Sequence, residues 1–293
     1  MQRLIAYIRL TRPANILTAV ADIMLGFAVT GLAFNFIHLN ALIGLVISTI
    51  GLYGGGVVFN DVFDAELDKK ERPERPIPSG MTSLRGAKLL GTVLMSTAII
   101  AAYQVSIISA AIAVGIALLA LLYNKFYKHH PVWGPLNMGA CRCGNLFLGI
   151  SVVPLAILQY WYLGLIPILY IVAITLISRG EVHGMNKKSI EIGLQLYLVM
   201  LLGILNLALM EEFQLLYALP FMLLFLALTL PPWLAALRSG KAYHIKKAVK
   251  SGILSLILLD AALAAGFTNV GYGLLILLLL PLSLLLSKTF AVT

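Results

Sequence analysis

Long apolar runs separated by short polar connections make up this chain from end to end. A helix needs roughly 20 apolar residues to cross a bilayer. On that ruler the runs near 14–34, 39–59, 87–105, 107–124, 133–156, 162–178, 189–210, 214–237, 250–267 and 270–287 are predicted membrane-spanning helices. The last two are short and meet at a break (Thr268, Asn269, Gly271, Gly273), so nine spans and a terminal helix fit the pattern equally well. The expected fold is an all-α, polytopic bundle of nine to ten transmembrane helices, formed by a single domain over 1–293.

Composition supports lipid as the solvent. Hydrophobic residues make up 60% of the 293-residue chain and charged residues only 11%, against about 25% charged in a soluble domain. The mean hydropathy is +0.96. The run after Arg3, Arg9 and Arg12 is too long for a secretory h-region and reads as a retained span. Cys141 and Cys143, two apart on a helix, face opposite ways, which suits packing and neither a disulfide nor a metal pair.

The net charge of +9 points to no nucleic acid, because the basic residues lie in alternate connections. Lys69, Lys70, Arg72, Arg75 and Arg85 share one; Lys125 and Lys128 another; Arg179, Lys187 and Lys188 a third; Arg238, Lys241, Lys246, Lys247 and Lys250 a fourth. The intervening connections FNFIHLN, YQVSI, LQYWYLG, MEEFQL and FTNVGYG contain no Lys or Arg. The positive-inside rule then puts the basic connections in the cytosol, with the plasma (inner) membrane as the expected location.

The second span runs into GGGVVFNDVFDAELDKKERPERPIPSG, at the head of an Asp-rich cytosolic loop, 60–86. Asp61, Asp64 and Asp68 fall at i, i+3 and i+7, on one helical face, with Asn60 at i+4 spacing from Asp64. Close carboxylates repel unless a cation sits between them, and hard oxygen donors suit Mg²⁺ that shares its other positions with phosphate. Arg72 and Arg75 follow and can fork onto a diphosphate. A solvated acidic–basic loop is the plain alternative; three glycines at 54–56 and the position at a span end weigh against it.

NDVFDAELD has the form NDxxDxxxD and resembles the first Asp-rich motif of the UbiA superfamily of intramembrane prenyltransferases. RPERPIPSG is similar to that family's RPxPSG continuation, and TRPAN (11–15) and YNKFYK (123–128) extend the likeness over nearly the whole chain. The run GPLNMGACRCGNLFLG further resembles the EboC-like subgroup. The resemblance implies two four-helix halves around a central cavity. It implies that Asn60, Asp61, Asp64 and Asp68 hold Mg²⁺ and the diphosphate of a polyprenyl donor. It also implies that Tyr123 and Lys128 contact that diphosphate, and that an allylic diphosphate ionises and an unknown acceptor captures the cation.

The second polar loop, 178–189, departs from the family's DxxxD. Its sequence SRGEVHGMNKKS places Glu181 and Met185 on the two acidic positions. Glu181 can still ligate Mg²⁺, but a thioether is a poor partner for it. Arg179 and Lys187, with Lys188, are expected to meet the diphosphate instead. The degraded motif leaves a second function class open, a non-catalytic protein of the same fold that binds or carries a prenylated precursor. A CDP-alcohol phosphotransferase lacks its DGxxAR here, and a plain ion-coupled transporter fits poorly with acidic residues outside the spans.

Three charges lie inside apolar spans: Asp22, Arg142 and Asp260. An unpaired charge there costs at least about 2.5–3.5 kcal/mol. Each lies roughly nine or ten residues from its span's cytosolic end, so at 1.5 Å per residue the three are expected to meet at one depth. Asn15, Thr18 and Asp22 share a face of the first helix. A structural ion pair and an acceptor-binding role for Arg142 and Asn15 both fit.

Overall fold

The computed structural model describes residues 2–179 and 187–290. In chain order the helices are α1 (Gln2–Leu10), α2 (Pro13–Val29), α3 (Leu39–Phe63), α4 (Ala65–Glu71), α5 (Leu84–Val105), α6 (Ile107–Leu122), α7 (Trp133–Ile150), α8 (Ala156–Gln159), α9 (Leu165–Ser178), α10 (Lys187–Leu207), α11 (Leu215–Ser239), α12 (Ala242–Leu254), α13 (Leu256–Phe267), α14 (Val270–Leu277) and α15 (Leu279–Thr289). No strand occurs among the described residues.

Among the described residues eight helical stretches are long and apolar enough to cross a membrane, nine if α1 and α2, bent by 43°, count as one. Ala242–Phe267 and Val270–Lys288 each cross as one such stretch despite a break. The remaining helix expected from the sequence is α7. It forms, but it buries Asn137, Arg142 and Asn145, which lowers its apolar character. The outer faces are apolar, with Leu89, Ile107, Leu216 and Leu285 more than half exposed, as a surface that faces lipid requires. Such a surface in water would drive aggregation.

Two apolar clusters mark two halves. One joins Leu45 and Leu52 of α3, Met95 and Ala98 of α5, and Ala113 and Ile116 of α6. The other gathers α9 to α13 around Tyr170, Tyr197, Phe225 and Trp233. In that group the polar tips are satisfied: the Tyr170 hydroxyl donates to the Gly252 carbonyl, and Trp233 Nε1 donates to the Ala248 carbonyl. The seam is made by α2, which packs on α7 and α13. The crossing of α2 and α7 is close enough that a Cβ on Gly149 would lie 2.7 Å from the Ile23 carbonyl oxygen and 3.0 Å from Gly26 Cα. Small residues allow such backbone approach between membrane helices.

The segment expected as an Asp-rich loop over 60–86 is helical in its first part. α3 continues through Phe63, Asp64 sits at the junction, and α4 carries Asp68. Acidic residues in the first turn of α4 and Lys69 and Lys70 in its last complement the helix dipole. The irregular connection is residues 72–83, closed by Ser83, whose Oγ accepts from the Gly86 N–H at 3.0 Å and caps α5.

Candidate functional site

The acidic motif is built where α3 ends. Asp61 lies in the last turn of α3 and Asp68 within α4, seven residues on; both are buried, at 7% and 4% exposed. Their carboxylates converge on one guanidinium. Arg75 Nη1 lies 3.3 Å from Asp61 Oδ1 and 2.7 Å from Asp68 Oδ2. Arg12 Nη2 donates to the same Asp61 oxygen at 3.0 Å.

Asp64 faces another way and pairs with Lys128. The sequence pattern put all three carboxylates on one face; the junction at Asp64 divides them into a pair and a single. The Asp64 side is matched residue by residue to the turn that follows α6. That turn, Tyr123–Tyr127, is a π-helix in which the Lys128 N–H reaches the Tyr123 carbonyl at 2.9 Å. Asn124 and Lys128 therefore present one face to Gly56 and Asn60 of α3 and to Asp64 at its end, each four residues apart. Asn60 Nδ2 donates to Asn124 Oδ1 at 2.9 Å, and Asn124 Nδ2 donates to the Gly56 carbonyl at 2.9 Å. A single π-turn in a helix is frequent at functional sites because it re-aims side chains. Tyr123, on the same turn, lies within electrostatic reach of Asp64.

Other residues expected at the site lie further out. Arg72 and Lys187 are exposed at helix ends. Arg179, also exposed, donates to the Pro131 carbonyl, which ties the end of α9 to the connection before α7. Asn15 is buried on α2, one turn beyond Arg12. Glu181, with His183, Met185 and Asn186, falls outside the described residues.

Arg142 lies apart from the acidic motif. Its Nε is 2.9 Å from Asp22 Oδ2, and its Nη2 donates to the Thr18 carbonyl at 2.7 Å. Asp22 and Asp260 line one small cavity, and Asp260 lies within electrostatic reach of both Asp22 and Arg142, so the three intramembrane charges do meet. Sequence reasoning missed three contributors: Arg12, Asn124 and Asn145. Arg12 sits at φ 48°, ψ 66°, a left-handed conformation rare for a residue with a Cβ. The bend between α1 and α2 that this conformation makes is what turns its side chain towards Asp61. The Arg-Pro pair was visible, but its direction was not.

The resemblance implies Mg²⁺, and the donor set can be tested for it. Asp61 and Asp68 already bring two hard oxygens to one positive nitrogen. Mg²⁺ usually takes one or two carboxylates from a protein and completes its shell with water and phosphate oxygens. The pair fits that pattern. Among the described residues no three His, Cys, Asp or Glu side chains form a group that could hold a metal ion, so the expected three-carboxylate set is not assembled in this conformation.

The model of the UbiA prenyltransferase family matches residues 23–250. Digeranylgeranylglyceryl phosphate synthase of Sulfurisphaera tokodaii is 29% identical over 183 residues, 62% of this chain and 63% of that protein. The chain thus aligns with less than two thirds of that relative's length. A solved structure of digeranylgeranylglyceryl phosphate synthase in membranes superposes with a TM-score of 0.69 at 22% identity, covering 92% of this chain and all of the other. A UbiA homologue from Archaeoglobus fulgidus, solved with GPP and Mg²⁺, gives 0.55 at 16% identity over 92% of this chain and 99% of its own. These likenesses show the fold, and none of these three relatives bears on the EboC-like subgroup. With more than three quarters of its length matched by the family model, this chain belongs to the UbiA prenyltransferase family.

Proposed function

We propose that the protein is an intramembrane, Mg²⁺-dependent prenyltransferase that moves a polyprenyl group from an allylic diphosphate to a lipophilic or small acceptor. The observation that carries this reading is the balance of charge at the end of α3. Three carboxylates are each held by a cation, Arg12 and Arg75 for Asp61, Arg75 for Asp68, and Lys128 for Asp64. A site of alternating hard anions and guanidinium or ammonium groups matches a metal-bound diphosphate, whose negative oxygens take the cations while the carboxylates take the metal.

In this reading Asp61 and Asp68 hold the ion, and Asp64 and Asn60 complete the acidic face. When bound, the ion offsets the negative charge that builds on the departing diphosphate. Arg12, Arg75 and Lys128 exchange their carboxylate partners for diphosphate oxygens and stabilise the same charge. The Asn60–Asn124 hydrogen bond fixes the π-turn against α3, so Lys128 and Tyr123 arrive together. The apolar helices keep water from the allylic cation. Arg179, Lys187 and Glu181 remain candidates for the far side of the diphosphate. Asn15, buried on α2, remains a candidate for the acceptor side.

The acidic motif and basic connections belong, by charge asymmetry, on the cytosolic side of the plasma membrane. The name of the S. tokodaii relative makes a geranylgeranylglyceryl phosphate the first acceptor to assay. Calorimetry with geranylgeranyl diphosphate tests the site itself. Binding should need Mg²⁺, disappear with chelator and be lost in Asp61→Ala. Binding unaffected by both changes would rule out the assignment.

A further inference from the structure

A second polar centre lies in the seam of the bundle and has no part in the site above. Asp22 on α2 and Asp260 on α13 are 2% and 5% exposed. Both line a cavity of about 10 Å³ whose other walls include Leu25, Leu146, Leu256 and Leu259. That is room for about one water. Asp22 Oδ2 receives Asn145 Nδ2 at 2.8 Å and faces Arg142 Nε at 2.9 Å. Asn145 is itself anchored by Thr49, whose hydroxyl donates to its Oδ1 at 2.6 Å. The guanidinium is therefore committed to Asp22 and the Thr18 carbonyl. Asp260 Oδ2 is fully buried with no hydrogen-bond partner among the described atoms.

The count of charges decides what this centre holds. One guanidinium pairs with the first of two carboxyl groups that line the same cavity and lie within electrostatic reach of each other. An ionised carboxylate only accepts hydrogen bonds, so a bond between two carboxyl groups requires a proton on one. Arg142 stabilises the ionised form of the carboxylate it touches, which is Asp22. Two ionised carboxylates beside one Arg would leave a net charge in a leucine-walled space, where an uncompensated charge is costly.

We propose that Asp22 and Asp260 form a site for a single bound proton, carried by Asp260 and donated to Asp22, with space for one water beside Asp260 Oδ2. The site goes beyond the prenyltransferase reading and does not depend on it. Other ionisable groups near the pair are Cys143 of α7, beside Asp22, and Tyr170 of α9, beside Asp260. Tyr170 donates to the Gly252 carbonyl and Tyr272 of α14 to the Met24 carbonyl. The buried faces of α11 and α12 carry no ionisable side chain, and α15 presents Ser283 to the Ala14 carbonyl. The proton is thus enclosed by four helices, with Arg142 as the only cation against it among the described residues.

Infrared spectroscopy of the purified full-length protein tests this directly. At neutral pH a band of a protonated carboxyl group should appear, shift down in heavy water and vanish in Asp260→Asn. Absence of the band, or its survival in that variant, overturns the proposal. A second measurement needs no variant: the melting temperature at neutral pH should be equal in sodium and choline chloride. A melting temperature raised by sodium would assign the compensating charge to a metal ion and overturn the proton.

Discussion

Replacing Arg142 with Leu isolates the energetics of the seam. Arg142 is 7% exposed, and Asp22, its partner, 2%. Removing the guanidinium leaves Asp22 with Asn145 and the Asp260 proton as its only stabilisation. Breaking one side of a buried ion pair costs about 3–5 kcal/mol in general. An independent bound comes from the escape route open to Asp22, which is to take up a proton. A free Asp titrates near 3.9, about three units below neutral, and each unit is about 1.4 kcal/mol, so the escape costs about 4 kcal/mol at pH 7. The two figures agree. The escape becomes easier as pH falls, so the loss in Arg142→Leu should shrink by about 1.4 kcal/mol per unit and nearly vanish by about pH 4. The sign follows from proton uptake: the variant's folded state binds a proton that the unfolded chain has lost at pH 7. Adding Asp22→Asn and Asp260→Asn removes the orphaned charge, and the triple variant should melt above the single one at neutral pH. Melting curves in detergent across pH measure both. A triple variant no more stable than Arg142→Leu, or a loss that does not change with pH, would refute the reasoning.

Gly149→Ala places a methyl group 2.7 Å from the Ile23 carbonyl oxygen; forcing α2 from α7 should cost about 1–3 kcal/mol, read as a lowered melting temperature. Asn124→Leu removes both the bond to Asn60 and the bond to the Gly56 carbonyl. It should weaken geranylgeranyl diphosphate affinity at least about tenfold with less effect on melting, and calorimetry on the folded variant checks it. Met185→Asp restores a hard oxygen donor, and a gain in Mg²⁺ affinity or turnover is the expected outcome. No change there, together with no effect of Glu181→Ala, would remove that loop from the metal site.

Helix content and span order were legible in the sequence because lipid imposes an apolar run of fixed length. The meeting of Asp22, Arg142 and Asp260 was legible too: equal depth can be counted along each span, and charges in hydrocarbon seek one another. What the sequence could not show was direction. The i, i+3, i+7 spacing of the aspartates assumes one continuous helix, and the junction between α3 and α4 at Asp64 breaks it. Arg12 reaches Asp61 through a left-handed residue that no periodicity signals. Asn124 meets Asn60 because a π-turn shifts the register at the end of α6. Each surprise is a local departure from regular helix, and all three cluster at the candidate site.

The central claim is transfer of a prenyl group, and turnover measures it most directly. Purified protein in lipid bilayers should release diphosphate from radiolabelled geranylgeranyl diphosphate and yield a prenylated product when Mg²⁺ and a suitable acceptor are supplied. Chelator should abolish both, and Asp64→Ala should lower both at least about a hundredfold. Tight, Mg²⁺-dependent binding of the donor with no diphosphate release across a panel of hydroxyl, phosphate and aromatic acceptors would contradict the account and identify a carrier built on the same fold.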